Sequence, residues 1–256
     1  MFVWPETIAG RGSHEMASCV LQYFKNTDVK AQTLHVYSDN CSGQNKNFNI
    51  LSLWQYLVAN GSFKEIRHIF PLSGHTMMPC DRDFGDIERK LRKSTCIYTP
   101  SEYVNLIKDA RVKNKFQVTE MVCDEFLDVT PLAKALTKRT ATSGREKIDY
   151  RKVHQFRITC DKPQHLEIKL SHDDGEEWKQ ISLKKRGGRT QLKDVKLSPL
   201  YAGSRPIKKA KVDDVKSLLD YVPPVYHQFY NDIVVDNNCR SNADDIELMD
   251  DADESE

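Results

Sequence analysis

Thr33-Leu34-His35-Val36-Tyr37-Ser38-Asp39-Asn40-Cys41-Ser42-Gly43-Gln44-Asn45 is the stretch on which the fold turns. Thr33 to Tyr37 alternates as a strand, and Asp39 opens a loop of small polar residues just beyond it. The same arrangement recurs about thirty residues later. Phe63 to Phe70 reads as a strand, with Ile66, His68 and Phe70 in alternate positions, and Gly74-His75-Thr76 and Asp81 follow. A strand end is rigid, so a loop leaving it presents an oxygen ligand without burying its own backbone.

Helical patterns separate these strands. Gly12 to Lys25 carries Met16, Val20 and Phe24 at four-residue spacing, with Ser13 as a candidate N-cap. Asn47 to Val58 places Ile50, Leu51, Trp54 and Leu57 on one face, and Asp81 to Arg92 places Phe84, Ile87 and Leu91 inward. Phe2 to Trp4 reads as the end of a strand. The resulting order of strand, helix, strand, helix, strand, helix predicts an α/β layer with a largely parallel sheet. A helix over 101–113, a strand over 116–122 and a helix over 130–138 follow.

Thr140 to Lys147 is polar and punctuated by Gly144, so a linker is expected at 140–148 between a core at 1–139 and a second region at 149–235. The second region reads as strands over 153–159, 166–170 and 178–183, with Asp173-Asp174-Gly175 as hairpin-turn chemistry, then helices over 212–221 and 225–234. Residues 236–256 are expected to be a disordered acidic tail.

The net charge of +1 conceals an uneven layout. Residues 244–256 hold eight acids and no base, and without them 38 basic residues face 29 acidic ones. A basic body with an acidic tail fits nucleic-acid binding in which the tail competes for the basic surface, and it equally fits a solvated tail. Two basic clusters stand out: Lys184, Lys185, Arg186 and Arg189, and then Lys208, Lys209 and Lys211. Either could contact DNA phosphates or be a solvated turn, and the second also matches a minimal nuclear-import pattern.

Seven cysteines without a CxxC pair argue for reduced thiols rather than a disulfide framework. No apolar run approaches the roughly 20 residues needed to span a membrane. With no basic n-region after Met1, a nuclear or cytoplasmic location is expected. No small-molecule substrate is evident.

Asp39, Asp81 and Glu88 are the candidate metal ligands, since carboxylates suit Mg²⁺ or Mn²⁺. Each has a plainer alternative. Asp39 would hold the turn before the Asn47 helix, Asp81 would cap its own helix, and Glu88 would pair with Arg92 four residues on. His75 reads as a ligand, a general base or a structural histidine.

Trp4-Pro5-Glu6-Thr7, Gly10-Arg11-Gly12-Ser13, Tyr37 to Asn47, Gly74-His75-Thr76 and Asp81 to Arg89 occur in an order that resembles a large family of uncharacterised, transposon-associated animal proteins. The resemblance covers about residues 1–122 and extends more weakly over 211–230. It implies a ribonuclease-H-like, transposase- or integrase-type mixed sheet with flanking helices, and a smaller C-terminal hairpin and helical region. It further implies metal-dependent phosphodiester cleavage or strand transfer on DNA. Asp39 would be the second catalytic carboxylate, and Asp81 or Glu88 the third, with His75 beside it. The family's first catalytic aspartate would lie on an earlier strand. The expectation is therefore an N-terminally incomplete domain, catalytically inactive as it stands, or a domesticated nucleic-acid-binding or protein-interaction module.

Overall fold

The computed structural model describes residues 1–72, 78–187 and 191–236. The elements in chain order are β1 (Phe2–Val3), α1 (Ser13–Asn26), β2 (Thr33–Tyr37), α2 (Phe48–Ala59), β3 (Glu65–Ile69), α3 (Pro79–Leu91), α4 (Pro100–Lys108), β4 (Thr119–Glu120), α5 (Thr130–Ala135), β5 (Gln155–Thr159), β6 (His165–Lys169), β7 (Lys179–Ser182), β8 (Ile207–Lys208), α6 (Lys209–Ser217), α7 (His227–Asn231) and β9 (Val235–Asp236). The fold is mixed α/β, and the chain divides into two compact units.

The larger unit, residues 11–76 and 127–198 among others, holds a five-stranded sheet in the order β2-β3-β5-β6-β7. Only β2 and β3 run parallel, with Val36 beside His68 and Tyr37 beside Ile69. The other three pairings are antiparallel, so the sheet is mixed rather than largely parallel. The long connection from β2 to β3 carries α2, as a parallel crossover requires. Asn47 caps α2 by accepting the Ile50 N–H at 3.0 Å. The helix is buried nearly all round, with Leu51, Leu53, Trp54 and Leu57 at 4 % exposure or less against Ile66, Phe156 and Leu166. α1 packs beside it, its entry fixed by the Glu15 carboxylate accepting the Gly12 N–H at 2.8 Å.

Residues 140–148 belong to this unit and form no boundary. The Ser143 N–H donates to the Gln180 carbonyl on β7 at 2.9 Å, Glu146 pairs with Lys179 at 2.6 Å, and Ile148 is buried. The strands expected as a separate C-terminal region are joined to the core through β3 and β5. Their alternation was readable, but the choice of partner strand is a long-range pairing that local pattern does not encode. β2 lies at one edge of the sheet, and among the described residues no strand pairs with its outer side.

The smaller unit comprises residues 1–10, 77–126 and 199–242. β1 was expected to belong to the main sheet; it pairs instead with β4, Phe2 beside Thr119, in a two-stranded parallel ribbon. Trp4 packs edge-on against Phe126 at 5.1 Å, and Ile87, Leu106 and Ile107 form a second cluster with Met1 and Val3. On α3 only Ile87 is buried; Phe84 is 59 % and Leu91 37 % exposed, contrary to the inward placement expected. The inward line runs through Asp83, Asp86 and Ile87, because Arg111 bridges Asp83 at 2.5 Å and Asp86 at 2.6 Å. That rotates the Phe84 stripe away by roughly a quarter turn.

Candidate functional site

The loop from Ser38 to Asn47 is built almost wholly from its own polar side chains. Asp39 Oδ1 accepts the Cys41 N–H at 3.1 Å and an Asn45 amide hydrogen at 2.7 Å. Asn40 donates to the Pro71 carbonyl at 3.0 Å, tying the loop to the segment after β3. Asn47 donates to the Ser42 carbonyl at 2.8 Å. Asp39 thus stays exposed at the carboxyl end of β2 while its orientation is held by two donors. A shallow cavity of about 300 Å³, lined by Tyr37, Ile69, Pro71, Leu72 and His172, opens at the same end of β2 and β3.

Beneath the loop lies a buried polar chain that the sequence reading passed over. Lys46 is 4 % exposed and donates to Asn40 Oδ1 and the Arg151 carbonyl, both at 2.9 Å, with its ammonium 4.9 Å from the Phe70 ring centroid. Burial lowers its pKa to about 8, with Asp149 acting in the opposite direction. His68, 1 % exposed on β3, meets Trp54 and Ser38. Burial, reinforced by the Lys46 charge, lowers its pKa to about 3, so His68 is neutral at physiological pH.

The tautomer follows from the partners. The Trp54 indole can only donate, so His68 Nδ1, 3.1 Å away, accepts and carries no proton. The proton of the neutral ring therefore sits on Nε2 and points at Ser38 Oγ, 2.8 Å away. Ser38 in turn donates to the Asp39 carbonyl at 2.9 Å. A histidine that presents N–H to a serine cannot take that serine's proton. The Ser38–His68 pair is thus a structural relay, not a nucleophile with its base. Its signal in the sequence was the position of His68, in register between Ile66 and Phe70 on the inward face of a strand.

Asp81 and Glu88 are on α3 of the smaller unit. Asp81 accepts the Met78 N–H at 2.8 Å, and Glu88 faces Arg92 at 3.4 Å, each in its plainer role. His75 and Arg189 lie outside the described residues, as does the acidic tail. Among the described residues no three His, Cys, Asp or Glu side chains converge as a metal site. Asp39 alone does not fit the full carboxylate cage that the resemblance implies.

Of the basic residues, Lys184, Lys185 and Arg186 are exposed. Lys185 donates to the Lys134 carbonyl at 3.1 Å, and Arg139 reaches the Lys184 carbonyl at 3.3 Å, which gathers Arg139 into the same patch. In the second cluster, Lys209 is paired with Asp213 at 2.5 Å and Lys211 with Glu6. No helix among the described residues is long and apolar enough to cross a membrane.

A family profile described as a domain of unknown function, DUF7869, matches residues 2–174. The chain belongs to the DUF7869 family. The match runs through the expected linker and ends in the β6–β7 turn, so the matched span takes in both the β2–β3 pair and the β5–β6 hairpin. No match was found among curated proteins or solved structures.

Proposed function

We propose that this DUF7869 chain is a ribonuclease-H-like domain of transposable-element origin. Its parent activity is metal-dependent phosphodiester cleavage or strand transfer on DNA, and the chain itself is catalytically silent. The observation that carries the reading is Asp39, an exposed carboxylate held by two donors at the carboxyl end of one of two parallel strands. That is where open α/β sheets place their ligands. Silence is inferred because the other candidate carboxylates within the described residues are engaged in capping and ion pairing. Two-metal chemistry needs several oxygen ligands around one position.

A second reading, nucleic-acid binding without catalysis, is favoured by the exposed Lys184, Lys185 and Arg186 with Arg139 beside them, none of them in an ion pair with a carboxylate among the described residues. Phosphate contacts of this kind lose affinity steeply with salt. The deciding experiment is calorimetric titration of Mn²⁺ into the chain and its Asp39→Ala variant, with a plasmid-nicking assay alongside. No binding at micromolar Mn²⁺ and no nicking are expected. Micromolar binding that disappears in the variant, accompanied by metal-dependent nicking, would show an active enzyme. Salt-sensitive DNA binding lost on Lys184→Glu/Lys185→Glu would select the second reading.

A further inference from the structure

A groove of about 790 Å³ runs along the larger unit between the exposed side of α1 and the segment 193–197. Its floor includes Leu21, Leu127 and Leu197, each half-buried. Leu21 and Leu197 pack directly on the main core, so the groove is a continuation of that core to the surface. Lys25, Lys193 and Lys196 stand exposed around it, and Asp194 is the one acid in the lining. Leu21 and Lys25 are four residues apart on α1 and present one face. An apolar floor with a basic rim fits an acidic segment carrying a few large apolar side chains.

This chain has such a segment. Asp244-Asp245-Ile246-Glu247-Leu248-Met249-Asp250-Asp251 combines five acids with three adjacent or alternating apolar residues and no base. Seven residues, 237–243, separate it from the last described residue, Asp236, and can span up to about 25 Å. A tethered segment also acts at high effective concentration, so a modest intrinsic affinity suffices. We propose that the acidic segment 244–251 docks in its own chain's groove, with Ile246, Leu248 and Met249 on the floor and its carboxylates against Lys25, Lys193 and Lys196. The tail is then an internal ligand, and any anionic partner of that face must displace it.

The test is hydrogen–deuterium exchange of 244–251 in the full chain, compared with a free peptide of the same sequence at low salt. Docking slows exchange about tenfold or more. It returns to the peptide's rate in Lys193→Glu/Lys196→Glu and, independently, in Ile246→Ser/Leu248→Ser, whose change lies outside the described residues. Exchange as fast as the peptide's in the full chain overturns the proposal, as does protection that survives both variants. Protection that grows with protein concentration assigns the groove to a second copy's tail and also overturns it.

Discussion

Replacing His68 by glutamine should remove most of the dependence of stability on mildly acidic pH while lowering stability at neutral pH. In the unfolded chain the histidine titrates at its ordinary 6.5; in the folded chain it stays neutral down to about 3. As pH falls below 6.5 the unfolded state gains a proton that the folded state refuses, so stability falls with pH across that window. The slope approaches about 1.4 kcal/mol per pH unit, and integrating from pH 7 to pH 5 gives a loss of about 2 kcal/mol from this one residue. Its neighbours bear on the size. Lys46 disfavours the imidazolium by charge, and the Trp54 indole would face an N–H instead of a lone pair if Nδ1 were protonated. The substitution itself disturbs the contacts with Trp54 and Ser38, costing about 1–3 kcal/mol at pH 7. Urea denaturation of both proteins at pH 7 and pH 5 measures the effect. The difference between the two pH values should shrink by about 2 kcal/mol in His68→Gln. An unchanged difference would refute the reasoning, as would an NMR titration placing His68 near 6.5.

Two further outcomes follow from the buried charges. Lys46→Met should raise the pKa of His68, since the nearby positive charge disappears; it should also cost about 1–3 kcal/mol, because Asn40 and the Arg151 carbonyl lose their donor. Both are read by NMR titration and denaturation on the same sample. Glu167, 5 % exposed, is opposed by burial but held ionised by Arg157 and Lys162, each at 2.6 Å, so its carboxyl titrates below the usual range. Its stabilisation is present above the unfolded carboxyl's pKa and is lost as pH falls through the lowered folded value. Glu167→Gln should cost about 1–3 kcal/mol at pH 7 and flatten the denaturation midpoint below pH 5; an unaltered acid limb would count against the pair.

Much of the local structure was legible because it rests on short-range forces. β2 spans the five residues whose alternation predicts it, and α2 begins one residue after the asparagine that caps it. The Asp-Asp-Gly hairpin turn falls between β6 and β7, and Lys169 donates to the Asp173 and Asp174 carbonyls there. The plainer alternatives for Asp81 and Glu88 were equally readable, since capping and i,i+4 pairing need only a helix. Strand partnership was not readable. Phe2 and Val3 have the same local pattern whether they join the main sheet or pair with Thr119 and Glu120.

The sequence by itself determined α1, β2, α2 and the three strands β5 to β7 to within about two residues, and that Asp39 lies just past a strand. Periodicity, capping and turn chemistry act within a few residues. Only the tertiary structure decided that β5 to β7 extend the β2–β3 sheet, that Asp39 belongs to one unit and Asp81 and Glu88 to the other, and that His68 is a neutral donor to Ser38. The physical reason is the same in each case. Pairing, burial and protonation depend on neighbours brought together across the chain, such as Trp54 against His68 and Arg151 against Lys46, and no local pattern names them.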